Sequence, residues 1–224
     1  MKSIKIPHKF IDRLTPGDNI EYIKFLIIGT FNPGYPILNG DTLTENDQKN
    51  IIKNQAGLNF YDRANNRFWG VLDRLYFKNN YLEKTKKYKR INGLKLYKGF
   101  NSPNDVFQSQ QNFCKENGVF ITDIVSEITV PKIEGIYNGF NDQYFDNAVS
   151  EWNTKNILSL IDKYNPHRVL FTFSKSKTIP EISKNVQFII DKNPTKTFFL
   201  SSPSGNAKKS YEQLIFDWSK FFFE

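Results

Sequence analysis

The stretch from Lys24 to Gly34, which reads KFLIIGTFNPG, constrains the fold more than any other part of the chain. An aliphatic run bounded by Gly and Pro predicts a strand buried on both faces, as strands of a parallel sheet are. Ligands of open α/β sheets bind beyond the carboxyl ends of the strands, so the loop after Ile28 lies where a site is expected. It has no glycine-rich phosphate motif, but Asn32 offers a side-chain amide. An ordinary Asn-Pro-Gly turn also explains this loop.

The rest of the chain alternates between strand-like and helix-like patterns. Strands are predicted at residues 23–28, 119–125, 168–173, 186–190 and 197–200. Helices are predicted at residues 68–77, 103–117, 157–164, 176–184 and 211–222, and residues 1–20 and 126–147 are interpreted as a lead-in and a loop. This alternation favours an α/β fold, a three-layer α/β/α sandwich with a central, mainly parallel sheet of about four strands.

Length and composition limit the class of protein. A chain of 224 residues suits a single domain, here residues 1–224, that can bury a sizeable core. One cysteine, Cys114, and two histidines, His8 and His167, argue against a disulfide framework and against a Cys/His metal site. Neither a signal peptide nor an apolar run of ~18 residues is visible. We therefore expect a cytoplasmic monomer without metal, cofactor or membrane attachment, and neither histidine receives a role.

The positive charge of the chain is concentrated in one segment. The formal net charge is +8, and residues 78–98 hold eight Lys and Arg side chains against one acidic residue, Glu83. Tyrosines are interleaved with these cations, and this combination is typical of a surface that binds nucleic acid. We therefore interpret residues 78–98 as a basic insertion, although a solvated lysine-rich surface would look the same. The DNA-binding candidates in it are Lys86, Lys87, Lys89 and Arg90.

Three loops at predicted sheet edges form a recognisable set: GTFNPG (29–34), NFYDRANNRFW (59–69) and LSSPSGNA (200–207). With the strand that carries Thr122-Asp123-Ile124 and the final helix that carries Trp218, they resemble the uracil-DNA glycosylase superfamily. The resemblance is closest to the mismatch-specific, thymine-DNA and deoxyinosine-DNA glycosylase branches. It covers most of the chain from residue 24 to residue 222, and Asn-Arg-Phe-Trp at 66–69 is its most specific element.

The resemblance implies a monofunctional DNA glycosylase, a hydrolase that flips a base out of DNA and cuts its N-glycosidic bond. The catalytic residue maps to Asn32 if the first motif follows the thymine-DNA branch, and to Asn66 if it follows the deoxyinosine branch. Asp62 and Asp123 are available carboxylates, although Asp123 also suits a capping role after a strand. The base-binding candidates are Thr30, Phe31 and Tyr61. The DNA-binding candidates of the last loop, which we expect at a helix start, are Ser201, Ser202, Ser204, Gly205 and Asn206.

Several alternatives stay open at this point. Asn66 also suits a helix cap, and Tyr61 also suits a core position. A binding module that flips or clamps a base without cutting it fits the same motifs, as does an unrelated α/β enzyme acting on a nucleotide or a small phosphate ligand. The target base is open among uracil, mismatched thymine, hypoxanthine and a modified pyrimidine. So are the strand preference and the choice between DNA repair by base excision and attack on foreign DNA.

Overall fold

A computed structural model describes residues 3–17, 20–37, 44–45, 48–49, 57–62, 66–76, 89–91, 94–96, 100–131, 148–173, 180–204 and 208–223. The described strands are β1 (Ser3–Pro7), β2 (Phe25–Gly29), β3 (Lys89–Ile91), β4 (Leu94–Leu96), β5 (Val119–Asp123), β6 (Val125–Pro131), β7 (Val149–Trp152), β8 (Arg168–Phe171) and β9 (Thr197–Phe199). The described helices are α1 (Phe68–Tyr76), α2 (Pro103–Glu116), α3 (Thr154–Tyr164), α4 (Pro180–Lys192) and α5 (Tyr211–Phe222), with a short 3₁₀ helix at Ile11–Arg13.

The central sheet of the described chain has four parallel strands in the order β5-β2-β8-β9. Strand β2 lies inside this sheet, and all five of its residues are buried. This confirms the buried strand predicted from the apolar run, because only a strand covered on both faces can dispense with polar alternation. The strand begins at Phe25, two residues later than predicted, and includes Gly29.

Successive residues of β2 face two different hydrophobic cores. Leu26 and Ile28 pack in one core with α3 and α4, whereas Phe25 and Ile27 pack in a second core with α1, α2 and α5. Full burial of an aliphatic side chain stabilises a fold by roughly 1.5–3 kcal/mol, so the two faces together anchor this strand strongly. The predicted three-layer α/β/α sandwich around a mainly parallel sheet is confirmed.

The N-terminal segment belongs to a second sheet, which is antiparallel and has the order β1-β6-β7. The strand predicted at 119–125 is in fact two strands, because the chain leaves the central sheet after Asp123 and β6 starts at Val125. The loop predicted to begin at residue 126 is therefore wrong up to Pro131. Residues 1–20 are more than a lead-in, because β1 pairs with β6 across more than a hundred residues.

Helix α4 replaces a predicted strand at residues 186–190, and that prediction is wrong. Its apolar residues Ile182, Val186 and Ile189 recur at helical spacing and all are buried. Pro180 is the first helical residue, where its missing N–H would have had no partner in any case. The β-branched composition of the segment suggested a strand, but the period of the apolar positions decides which face can be buried.

The ends of α2 and α5 agree with the sequence. Ser102 caps α2 and exchanges side-chain and backbone hydrogen bonds with Asp105, which is a capping box. Ser210 and Gln213 form a second capping box at the start of α5. Both helices thus begin where the predictions put them.

The backbone of the β3–β4 hairpin lies beside α2. Among the described residues, no helix has the length and apolar character needed to cross a membrane.

Candidate active site

A buried polar group lies at the carboxyl ends of β2 and β5, where Gly29 and Asp123 are register partners. It consists of His8, Asn32 and Asp123, and we call these three residues the Asp123 cluster. His8 and Asp123 are only 2% and 1% exposed, whereas Asn32 is partly exposed. Burial of an ionisable group destabilises a fold unless the group is paired. The hydrogen-bond partners of His8 and Asp123 therefore decide how the cluster is held.

One carboxylate oxygen holds the cluster together. Asp123 Oδ2 accepts a hydrogen bond from His8 Nε2 at 2.8 Å and another from Asn32 Nδ2 at 2.7 Å. His8 Nδ1 accepts a hydrogen bond from the backbone N–H of Phe10 at 2.9 Å, so the proton of the neutral imidazole lies on Nε2. A carboxylate only accepts hydrogen bonds, and the Asn32 nitrogen must therefore face Asp123. The Asn32 amide oxygen points elsewhere and has no hydrogen-bond partner among the described residues.

Gly29 is required by the close approach of two side chains. A Cβ at this position would collide with Asp123 Oδ1 and with the Tyr61 hydroxyl, so no larger residue fits without moving the site. Asp123 Oδ1 is buried and makes no hydrogen bond within the described part of the chain. Of the two carboxylate oxygens, Oδ2 thus accepts two hydrogen bonds and Oδ1 accepts none among the described residues. The missing side chain of Gly29 leaves the space that Oδ1 occupies.

Tyr61 reaches the same end of the sheet from the loop before α1. Its hydroxyl forms a hydrogen bond with Thr172 Oγ1 at 2.8 Å, and its ring stacks on Phe68 with centroids 4.1 Å apart. Burial, and after it the charge of Asp123, raises the pKa of the Tyr61 hydroxyl well above its ordinary value. One face of the Tyr61 ring is therefore covered by the Phe68 ring and is not accessible to a ligand.

The other two base-binding candidates follow β2 directly. The Phe31 ring makes an edge contact with the His8 ring at 5.6 Å between centroids, and Phe31 is partly buried. The Thr30 carbonyl accepts a hydrogen bond from the backbone N–H of Val125 at 3.1 Å. The structure therefore brings Thr30, Phe31 and Asn32 together with Tyr61 at one edge of the sheet.

Asn66 forms a hydrogen bond with the start of α1, and Arg67 forms hydrogen bonds with the loop after β9. The Asn66 side-chain oxygen accepts a hydrogen bond from the backbone N–H of Phe68 at 2.9 Å, which caps the start of α1. The Arg67 guanidinium donates to the Ser204 carbonyl at 2.8 Å and also to the Lys209 carbonyl. The segment before α1 and the loop after β9 are thus joined to each other. The capping role that the sequence left open for Asn66 is present.

The serines of the last loop take part in internal hydrogen bonds. Ser201 Oγ donates to Asp217 Oδ2 at 2.6 Å and accepts from Lys209 Nζ at 2.8 Å, and Ser202 Oγ accepts from the Ser204 backbone N–H at 3.3 Å. The expectation that this loop forms a helix start is wrong, because α5 begins at residue 211, after its own cap at residue 210. Gly205 and Asn206 lie outside the described residues.

The four DNA-binding candidates of the basic insertion lie wholly or partly outside the described residues. Lys86 and Lys87 lie outside the described residues, and only the backbone of Lys89 and Arg90 is described, in the first strand of the β3–β4 hairpin. Within the described ranges, no group of three or more His, Cys, Asp and Glu side chains is arranged to hold a metal ion. The interpretation of residues 78–98 as a DNA-binding insertion stays a prediction.

A cavity of about 680 Å³ lies away from the Asp123 cluster. It is bounded by the 3₁₀ segment with Arg13, by residues 20–23, by Phe60 and by the junction of α2 and β5 at Gly118. Its walls carry charges of both signs and include no member of the cluster. The candidate site is therefore identified by the hydrogen-bond geometry of the Asp123 cluster and not by this cavity.

Sequence reasoning named Asn32 as a candidate and Asp123 as an available carboxylate, but it assigned nothing to His8. The motif around residue 32 and the polar residue that ends a buried strand are local signals. Asp123 does not act as a backbone cap, since its Oδ2 binds two side chains. His8 lies 115 residues from Asp123 in the chain, and no local pattern marks it. The sequence analysis also did not name Thr172, which bonds the Tyr61 hydroxyl. The one feature that could have indicated it is its position directly after a buried strand.

Comparisons with known proteins add no family. A scan against protein-family models gives no match, and a search of the curated proteins gives none either. These comparisons therefore assign the chain to no family, and its function is inferred from its fold, its site geometry and its loop motifs.

Proposed function

We propose that this protein is a monofunctional DNA glycosylase that hydrolyses the N-glycosidic bond of a flipped-out damaged, mismatched or modified base. The observation that carries the proposal is the orientation of Asn32. Its amide nitrogen is bound to a buried carboxylate, and its amide oxygen is left unpaired among the described residues at the carboxyl end of the sheet. Open α/β sheets bind their ligands at that end. The resemblance of the loop motifs to the uracil-DNA glycosylase superfamily supports the same activity.

The reaction needs little acid or base chemistry from the protein. The bond from C1′ of the sugar to the base nitrogen breaks, the electron pair leaves with the base, and the sugar becomes oxocarbenium-like. A water then adds to C1′ and loses one proton to the departing base or to solvent, which leaves an abasic site. The Asn32 oxygen accepts a hydrogen bond from that water and fixes its position. Positioning of a water in this way contributes large rate factors because it removes an entropic cost.

The base must leave the DNA stack before this chemistry. Flipping costs a few kcal/mol, and less at a mismatched or damaged base. Phe31 and Tyr61 border the position in which a flipped base would lie beside Asn32, and stacking on an aromatic ring stabilises a bound base by ~1–3 kcal/mol. The net charge of +8 favours a polyanionic partner. In this proposal, the loop at residues 201–204 and the basic insertion contact the phosphate backbone of the DNA.

The single cysteine, Cys114, is consistent with the reducing cytoplasm, which we propose as the compartment. Burial raises the pKa of its thiol to about 12, so the thiol stays protonated and takes no part in the proposed chemistry.

A cleavage panel tests the proposal. Labelled oligonucleotides that carry uracil, hypoxanthine, mismatched thymine or a modified cytosine are incubated with the protein, and alkali then breaks any abasic sites. We expect a product from at least one base, and we expect Asn32→Ala to abolish it while DNA binding persists. Absence of product with every base, together with salt-sensitive DNA binding, would point to a base-binding module that does not cut. Absence of DNA binding would contradict both.

A further inference from the structure

We propose that Asp123 and His8 are positioning residues that hold and polarise Asn32, so that the charge of Asp123, and not only its shape, contributes to the reaction. The inference rests on the proposed function, because it assigns the roles of two further residues in the same site. It comes from three observations in the described structure: two donors on one carboxylate oxygen, a histidine with both nitrogens engaged, and a buried carboxylate oxygen with no hydrogen bond.

The first observation fixes the direction of the Asn32 amide. In water, an asparagine side chain can exchange its oxygen and nitrogen by a half turn about χ2. Here the nitrogen donates to Asp123 Oδ2 at 2.7 Å, and the flipped amide would place two acceptors against each other. The carboxylate therefore selects the one orientation in which the amide nitrogen faces Asp123 and the amide oxygen does not.

The second observation shows that His8 acts through Asp123. Its Nδ1 accepts from the Phe10 backbone and its Nε2 donates to Asp123, so neither nitrogen is left for a substrate proton. Its ring also contacts the rings of Phe31 and Phe60, each with a centroid 5.6 Å away. A histidine locked in this way supplies a fixed donor to the carboxylate without bringing a positive charge of its own.

The third observation concerns the cost of the carboxylate. Asp123 is 1% exposed, and its Oδ1 has no hydrogen bond within the described residues. An unsatisfied buried charge destabilises a fold, and a neutral amide could tether the same two donors at lower cost. A structural tether alone thus does not account for a carboxylate at this position.

The charge has a chemical use beside Asn32. A carboxylate that accepts from an amide N–H draws electron density toward the amide oxygen, which then becomes a stronger acceptor. The attacking water is bound more tightly by such an oxygen.

Asp123→Asn is the decisive variant, because it keeps an acceptor oxygen for the two donors and removes the charge. We expect the single-turnover rate on the base identified by the panel to fall about a hundredfold, with DNA affinity unchanged within about threefold. We also expect Asn32→Ala with Asp123→Asn to be no slower than Asn32→Ala alone, because residues that act as one unit are not additive. Asp162→Asn, in an exposed ion pair with Lys192, is the matched control.

His8 is tested by a pair of substitutions. His8→Phe removes the donor, and we expect about a tenfold loss of rate. His8→Gln puts an amide nitrogen near the position of Nε2 and is expected to recover most of that loss. His167→Gln, at the exposed histidine, is expected to change nothing. Wild-type rates for Asp123→Asn, or a double variant slowed by the product of the two single effects, would overturn the proposal.

A readout without DNA separates this proposal from the proposed function. The side-chain amide protons of Asn32 in the free protein are followed by NMR in the wild type and in Asp123→Asn. We expect a downfield, exchange-protected proton in the wild type and its loss in the variant, with the other amide resonances in place. An Asn32 resonance that does not respond overturns the orientation by Asp123. A response in a protein that excises no base supports the orientation and refutes the glycosylase instead.

Discussion

Asn32 and Asn66 carry the same amide group near the same end of the central sheet, but the structure uses the two amides differently. Asn32 donates through its nitrogen to the buried carboxylate of Asp123, and its oxygen is left unpaired among the described residues. Asn66 accepts through its oxygen from the Phe68 backbone N–H and so closes the first turn of α1. The oxygen that a water-binding role requires thus makes no hydrogen bond among the described residues in Asn32, whereas in Asn66 it accepts from a backbone N–H.

The difference extends to the neighbours of each asparagine. Asn32 belongs to a buried cluster in which a carboxylate oxygen has no hydrogen bond, which is an expensive arrangement for a fold. Asn66 belongs with Arg67 and Ser201 to a region of capping and loop-closing hydrogen bonds. Costly polar burial is more common at functional sites, so the comparison favours Asn32 for the proposed chemistry and Asn66 for stability.

The largest effect is expected from Asn32→Ala. Loss of the amide oxygen should lower the single-turnover excision rate about a thousandfold, since a single preorganised hydrogen-bonding group contributes factors of this size. DNA affinity should change by less than about threefold, as measured by fluorescence anisotropy at fixed salt. Asn66→Ala is the matched variant and should cost less than about tenfold. A result with the two variants exchanged would reverse the comparison.

Gly29→Ala should disturb the Asp123 cluster directly. The new Cβ collides with buried atoms of Asp123 and Tyr61, so we expect a loss of about 2–3 kcal/mol in the free energy of unfolding, measured by urea denaturation. Gly17→Ala is the control, because nothing lies within 4 Å of the added Cβ there. Its effect should stay within about 0.5 kcal/mol. Equal stability of the two variants would mean that Asp123 and Tyr61 move aside at little cost in free energy, and that the cluster is not preorganised.

Asn66→Ala should lower stability by about 1 kcal/mol, the usual cost of a lost helix cap. Asn66→Asp keeps an acceptor for the Phe68 N–H and should retain most of the stability. Thermal and urea unfolding of the three proteins measure this directly. If both variants unfold like the wild type, the capping hydrogen bond contributes nothing, and the assignment of Asn66 to the structural region loses its support.

The smallest effect is expected from Asp217→Asn in the same structural region. Hydrogen bonds from Lys209 and Ser201 lower the pKa of Asp217 in the folded protein. A lowered pKa stabilises the fold above the unfolded value of about 3.9 and loses that contribution as the pH falls through the folded value. The wild type should exceed the variant by less than about 1 kcal/mol at neutral pH, because the pair is partly exposed.

Unfolding free energies of both proteins along a descending pH series measure this difference. It should shrink below about pH 4 and vanish once Asp217 is protonated in the folded state. A difference that is independent of pH would show that the Asp217 charge has no part in holding the loop, and that only the shape of the side chain counts.

The sequence by itself determined the elements whose signals are local. A strand buried on both faces is visible as an unbroken apolar run, and β2 appears where that run stands. Helices α2 and α5 begin at a cap followed by an apolar period of 3.6, because both signals act within one turn. The alternation of such elements was enough to predict the three-layer sandwich, and the motif after β2 was enough to make Asn32 one of two candidate asparagines.

Tertiary structure decided whatever depends on pairing between distant segments. The path of the chain after Asp123 was set by the second sheet, in which β1 covers one edge of β6. His8 reaches Asp123 only because that sheet carries the N-terminus across the carboxyl end of β2, and the two residues are 115 positions apart in the chain. A local pattern cannot report such a contact. The orientation of the Asn32 amide likewise depends on a partner 91 positions away, since the direction of an amide is fixed by its partner and not by its own sequence.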